Sequence, residues 1–417
     1  MQSARDEDRT VKHPKLWRNA NLTILVSGQW VSQVGNNLFE LAVYWYVLAQ
    51  THQAASLGWV GTAMALPGVL GLMTGVFVDR MDRRWTMVGS DVLRAALSAL
   101  LGIFALLHLL PLWLFLVLVL LLMAVGTFFN PASGALLPQI VPDEQLAAAN
   151  GLYSSATSSA GLIGMFGGGI VMSLLGPILL FFMNAASFVV SFVSLMFLRV
   201  PRRERDRPAT GAGIGQLYRE WVEGFKVYQA IPLLRTLLMT AILINFAGQG
   251  LGVLAAAWVK GPLRGNAFDY ALFGAAITVG AIVGAMTAAQ VLRRMRLEQV
   301  LPAGIIAVGV AVVVLSRVPL LWVTILCMFL AGIAMGEMNT GLTTMMQRIV
   351  PQEKMGRVFG TVGALVTLAN PVGAAVAGAL AEVWSVPFIY LLLGVLILLS
   401  SLPLFRLQAG SSAQSAA

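Results

Sequence analysis

The chain predicts an all-α membrane protein, with twelve transmembrane helices in two pseudo-symmetric six-helix bundles. Three observations carry that expectation. Apolar residues fill 58% of 417 positions, charged residues fill 11%, and the mean hydropathy is +0.82, which leaves too little polar surface for a string of water-soluble domains. Apolar stretches of about 20 residues, the length that crosses ~30 Å of hydrocarbon, recur along the whole chain. The second half, finally, repeats the first at one constant offset.

The stretches run near 20–48, 56–78, 86–107, 112–137, 147–173, 176–198, 233–258, 269–291, 300–316, 321–346, 356–382 and 387–405, numbered here spans 1 to 12. Backbone amides in lipid find no water to bond, so each stretch is expected to be helical. The N-terminal MQSARDEDRTVKHPKLWRNAN is too polar for a cleaved signal peptide, so span 1 is expected to remain and act as its own insertion signal. Among the 27 Lys and Arg, Lys260, Arg264 and Arg317 fall on one side and Arg94 lies inside span 3; the others sit in the N-terminus, alternate loops, central insertion or C-terminus. That asymmetry places both termini in the cytoplasm. The net charge of +9 therefore orients the chain and needs no nucleic-acid partner.

The largest polar insertion, Arg199 to Arg235, divides the spans six and six. The expected organisation is a tail over 1–19, a bundle over 20–198, a linker over 199–232, a second bundle over 233–405 and a tail over 406–417. Within the linker, Trp221, Phe225 and Tyr228 share a face, which predicts a short amphipathic helix on the cytoplasmic surface. A shift of 209 residues aligns Gly71 with Gly280, Gly75 with Gly284, Trp113 with Trp322 and Asn130 with Asn339. The same shift aligns QIVPDE (Gln139 to Glu144) with RIVPQE (Arg348 to Glu353), Gly151 with Gly360, and Gly164 with Gly373. The chain reads as a duplicated six-helix unit.

Duplication with one orientation places a substrate site at the interface of the two bundles, near mid-membrane. The loop after span 2, GVFVDRMDRR, then carries a resemblance: Gly75, Asp79, Arg80, Met81, Asp82, Arg83 and Arg84 match a Gly, three residues, then Asp-Arg-x-Gly-Arg-Arg, with Asp82 where Gly is usual. The chain resembles the major facilitator superfamily over essentially all its length. The resemblance implies that Asp79 faces the N-terminal end of span 11, where a helix dipole favours a carboxylate, as part of a conformational latch with Gly75, Arg80, Arg83 and Arg84. The alternative for Arg83 and Arg84 is a solvated positive-inside role. At the 209 shift Asp79 and Arg80 fall on Ala288 and Ala289, so the latch is one-sided.

A second signature, which marks antiporters of that superfamily, is met on span 5 by Gly151, Ala160, Gly164, Met165, Gly168 and Gly169. Here Ala160 replaces a Gly and Met165 replaces the Pro that usually kinks the helix. Small residues at this spacing also let helices approach closely, so plain packing of span 5 on span 8 is the alternative.

Glu40, Asp91, Glu337 and Glu382 lie inside the predicted spans, where a charge is costly enough to suggest function. Asn36, Asn37 and Glu40 share a face of span 1, and the duplicated positions Asn245 and Gln249 are polar too. Glu40 is the first candidate for proton coupling; Glu337, close to Asn339, is the second and could equally recognise a cation. The substrate-binding candidates are Asn36, Asn37, Asn245, Gln249 and Asn339. Asp91 and Arg94, three residues apart on a helix, are expected to form a structural ion pair. Glu382 is expected at the outer interface. Of the span 1 aromatics Trp30, Phe39, Tyr44, Trp45 and Tyr46, about half are expected to serve packing or lipid contact only.

No Ser/His/Asp set or nucleotide loop is present; GMFGGG (Gly164 to Gly169) lies inside a span without the Lys and Ser/Thr of a phosphate loop. Cys327 is the only cysteine and the three histidines are scattered, so a metal site is not expected, and neither is a cofactor or an enzyme activity. Within the superfamily, EGFKVYQAIPLLRTLLMTAILIN and LPGVLGLMTGVFVDRMDRR are similar to the branch of macrolide efflux pumps and enterobactin-type siderophore exporters. That implies a monomeric proton-coupled exporter of bulky amphipathic compounds in the bacterial cytoplasmic membrane, its partners being substrate, protons and the bilayer. The alternatives are a lipid or lysolipid translocator of the same superfamily, and a non-transporting membrane sensor or assembly protein.

Overall fold

The computed structural model describes residues 19–78, 81–199, 225, 228, 232–295, 297–350 and 352–404. Fourteen α-helices follow in chain order among them. The first seven are α1 (Ala20–Thr51), α2 (Ala55–Val78), α3 (Arg83–Leu106), α4 (Leu112–Gly126), α5 (Phe129–Ile140), α6 (Leu146–Leu175) and α7 (Pro177–Met196). The second seven are α8 (Pro232–Val253), α9 (Ala255–Lys260), α10 (Ala267–Arg294), α11 (Leu297–Arg317), α12 (Leu321–Ile349), α13 (Gln352–Val383) and α14 (Val386–Ser400). Eleven helical stretches are apolar and long enough to cross a membrane; α1 runs 32 residues but is diluted by Gln29, Gln33, Asn36, Asn37 and Glu40.

Two predicted spans are each broken in two, and the sequence holds the reason for both. Span 4 parts at Thr127 because Pro131 has no N–H to give the Thr127 carbonyl. The Thr74 hydroxyl of α2 donates to that carbonyl instead, at 3.0 Å. Span 7 parts at Leu254, after Gly248, Gly250 and Gly252, and there the Tyr390 hydroxyl of α14 donates to the Leu251 carbonyl at 2.8 Å. A free backbone group at bilayer depth is thus satisfied in each case by a neighbouring helix. Span 5, lacking the usual Pro, runs unbroken as α6.

Within the first bundle α1 packs along α7 and α6, and α3 along α7; within the second, α10 packs along α12, and α11 along α12 and α14. The α10–α12 seam is a glycine zipper: a Cβ on Gly332 or Gly336 would collide with the α10 backbone, and one on Gly280 or Gly284 with α12. Ends are tied by side chains. Asn21 accepts from the Arg199 N–H at 3.1 Å and donates to its carbonyl at 2.7 Å, joining the start of α1 to the chain beyond α7.

The bundles meet through α2 with α13 and through α6 with α10. The contacts lie toward the end of the molecule opposite the described termini. Gly58 of α2 touches Gly378 of α13; below them Gly61 faces Ala374 and Gly68 faces Thr367. On the other side Gly169 touches Ala271, and Gly274 and Thr278 meet Met165. Toward the terminus end the same helices separate: Cβ atoms built at Gly151, Gly360 and Gly363 would meet open space. The result is an opening between the bundles, closed at one end and open at the end that carries the termini.

Candidate functional site

The candidates to line the opening are the accessible polar groups of α1, α6, α8 and α12. Glu40 is exposed, and its carboxylate is near enough to Tyr44 and Tyr270 to act electrostatically on both. Its side chain is accessible although it lies deep within the helix assembly. The α1 face turns into the gap, and the gap's width depends on how two rigid bundles sit, which a local pattern does not encode. Asn36 and Asn37 are half-buried beside it; the Asn37 amide donates to the Gln33 carbonyl at 2.7 Å, and the Asn36 amide lies 3.5 Å from Gln33 Oε1. Across the gap, Asn245 and Gln249 of α8 are half-buried, and the Asn245 amide donates to the Ala241 carbonyl at 2.9 Å. On α12 Asn339 is exposed, while Glu337 accepts a hydrogen bond from the Thr287 hydroxyl of α10 at 3.2 Å.

Sequence reasoning missed several partners here. Ser155, Ser158 and Ser159 are exposed along α6, and the Trp30 indole donates to Ser159 at 3.1 Å. The signal was the run YSSATSSAG, whose hydroxyls recur at helical spacing in a stretch otherwise short of polar groups. Thr287 had no such signal, because its role rests on the close α10–α12 approach.

The closed end is roofed by aromatic rings. Trp45 of α1 stacks on Tyr270 of α10 at 5.9 Å between centroids, and the Lys260 ammonium sits 5.9 Å from the Trp45 ring. Trp258, fully buried on α9, stacks on Tyr390 at 5.0 Å. Phe39 and Tyr46 instead pack on Phe181, with Phe115 beside them, inside the first bundle.

The span 5 small residues divide by partner. A Cβ on Gly164 would come within 2.8 Å of Asn37 Cβ and the Val34 carbonyl, and one on Gly168 within 2.8 Å of Leu38, so both admit α1. Gly169 admits Ala271 of α10, Ala160 is buried, and Gly151 is exposed. The packing alternative therefore involves spans 1 and 8 together, not span 8 alone.

In the loop after α2, Asp79 and Arg80 lie outside the described residues, and so does most of the linker face; Gly75 is in the last turn of α2. Asp82 caps α3, accepting from the Trp85 N–H at 3.0 Å, which explains an acid where a Gly is usual. Arg83 donates to the Ala135 carbonyl at 3.0 Å; Arg84 donates to the carbonyls of Leu195 at 3.0 Å and Met196 at 2.6 Å. Arg83 is thus bonded to the middle of α5 and Arg84 to the C-terminal end of α7, and neither is a freely solvated charge. Of the linker aromatics, Phe225 is exposed, whereas Tyr228 is buried and donates to the Val358 carbonyl at 3.2 Å. Glu382 is exposed near the end of α13. Asp91 and Arg94 do pair, Oδ1 to Nη1 at 3.7 Å, and the Arg94 guanidinium also donates to Asn36 at 2.9 Å.

Two six-helix bundles around a polar central opening, with the chain duplicated, define a membrane transporter of the secondary type. The family model described as Major Facilitator Superfamily matches residues 25–368 and again 237–416. The chain belongs to that superfamily. It is 24% identical over 376 residues to macrolide efflux protein A of Streptococcus pyogenes, covering 89% of this chain and 92% of the relative. It is 27% identical over 378 residues to the multidrug efflux pump Tap of Mycolicibacterium fortuitum, covering 87% and 89%. Among solved structures, a bacterial homologue of the iron transporter ferroportin in its inward-facing state shares the fold with a TM-score of 0.73 at 15% identity, covering 94% of this chain and 99% of the other. The chain is a multi-pass membrane transporter whose relatives bear efflux names, and its context is a small-molecule substrate and a lipid bilayer.

Proposed function

We propose that the chain is a proton-coupled exporter of bulky amphipathic compounds, macrolides and drugs first and siderophores within the same class, working by alternating access as a monomer. What supports this reading is a set of accessible or half-buried polar groups on both bundles, Asn36, Asn37 and Glu40 on one and Asn245, Gln249, Glu337 and Asn339 on the other, with the Trp45–Tyr270 stack joining the bundles. The names of the efflux relatives support the direction of transport. The bias of Lys and Arg supports cytoplasmic termini in the bacterial inner membrane, so that the state described is inward-open and substrate enters from the cytoplasm.

In this reading Glu40 and Glu337 carry protons, and the amides bind substrate. Gly75, Asp79, Arg80, Arg83 and Arg84 form the latch of the opposite, outward-open state. The span 5 series of Gly151, Ala160, Gly164, Gly168 and Gly169 lets α1 and α10 slide against α6 during exchange. The test is efflux of a dye and a macrolide panel from expressing cells, with and without an uncoupler. Uncoupler-sensitive efflux is expected; energy-dependent efflux that survives uncoupling removes proton coupling.

A further inference from the structure

We propose that Arg94, held by Asp91, is a positioning residue for substrate recognition: it fixes the Asn36 amide so that its N–H edge, and not its carbonyl, faces the opening. This rests on the reading of Asn36 as a substrate-binding residue.

Asp91 is completely buried, and neither of its oxygens receives a well-formed hydrogen bond, although the Ser191 hydroxyl is nearby. Its counter-charge is Arg94 at 3.7 Å. A buried ion pair of this quality is a weak stabiliser compared with apolar side chains of the same volume, and at bilayer depth it is costly. What the pair does accomplish is to aim Arg94. The guanidinium lies 3.9 Å over the Phe188 ring, and a Cβ on Gly126 would touch it at an ordinary 3.5 Å, so Gly126 of α4 lies alongside it. Its Nη2 donates to Asn36 Oδ1 at 2.9 Å, crossing from α3 to the helix that carries Glu40.

That bond determines which face of the amide is on offer. With Oδ1 engaged by Arg94, the Asn36 NH₂ has the long 3.5 Å approach to Gln33 as its other contact and remains available as a donor. Asn37 is held the opposite way: its NH₂ donates to the Gln33 carbonyl, which leaves its Oδ1 as an acceptor. Neighbouring positions therefore offer one donor, one acceptor and, a turn on, the Glu40 carboxylate. The ligand that fits is an amphipath with a carbonyl, ether or hydroxyl oxygen beside an ammonium, N–H or O–H group.

The experiment is a double-variant cycle on erythromycin uptake into inside-out vesicles. Arg94→Lys keeps a cation for Asp91 but lacks the planar fork that reaches Asn36; Asn36→Ala removes the amide itself. Each is expected to raise the half-saturating concentration roughly 3- to 10-fold, the loss of one hydrogen bond, with a smaller change in maximal rate. If Arg94 acts through Asn36, the double variant is no worse than the poorer single. Wild-type half-saturation in Arg94→Lys, or factors that multiply in the double, overturns the proposal. Should the wild type take up no erythromycin, it is the substrate reading that fails. The same cycle in melting temperature of the purified chain then decides: a double variant melting no lower than the poorer single supports the link, and additive falls refute it.

Discussion

Trp45 and Tyr270 stack face to face at 5.9 Å with 19° between their planes, one ring from each bundle, and together they close the opening above Glu40. Such a pair is worth about 0.5–1.5 kcal/mol beyond its buried area. Because it joins bundles that must part for the outward-open state, Trp45→Ala is expected to favour that state by roughly 2- to 10-fold in population. Labelling of a cysteine placed at Ala271 with a membrane-impermeant maleimide from the closed side checks this. An unchanged labelling rate contradicts it.

Gly58 and Gly378 bring α2 and α13 into backbone contact at the same end. A side chain at either position keeps the bundles apart there. Gly378→Leu is expected to lower export at least 10-fold while the purified protein still folds, because the bundles can no longer meet at that end. Export within twofold of wild type would show that the approach is dispensable.

Asp82 separates structure from latch. As the cap of α3 it is replaceable by Asn with little loss, whereas Asp82→Ala is expected to cost about 1 kcal/mol of stability. Asp79→Asn, by contrast, is expected to slow exchange between states with little effect on the melting temperature. Thermal unfolding and transport measured on the two sets of variants check the division. A transport defect in Asp82→Asn matching that of Asp79→Asn would place Asp82 in the latch as well.

Glu337 tests whether the second bundle shares in coupling. Its carboxylate accepts from Thr287 across the glycine zipper. Thr287→Val leaves the acid without that donor and is expected to lower gradient-driven export roughly 3- to 10-fold, the loss of one hydrogen bond, leaving expression unaltered. Gradient-driven export at the wild-type level argues that Glu337 serves packing or substrate charge alone.

Much of this was legible in the chain. The spans, the duplication and the Asp91–Arg94 pair follow from hydropathy, offset and helical spacing, which are local properties. The break at Thr127 was legible too, since Pro131 stands four residues beyond it, yet an unbroken apolar run concealed it. What spacing did not reveal was helix rotation: Gly164 and Gly168 face α1 while Gly169 faces span 8, and Arg94 reaches Asn36 on another helix. Nor did it reveal the exposure of Glu40, which depends on the relative placement of two bundles and changes with state. Asp82 lay between these cases, an acid one residue before a helix whose start was placed three residues late.

The central claim is that Glu40 couples proton entry to substrate exit. The most direct measurement is erythromycin accumulation in inside-out vesicles driven by an imposed proton gradient, wild type against Glu40→Gln, with downhill exchange of erythromycin as the control. With Glu40 as the proton carrier, Glu40→Gln is expected to lose gradient-driven accumulation and to retain exchange. Gradient-driven accumulation at the wild-type level in Glu40→Gln would contradict it.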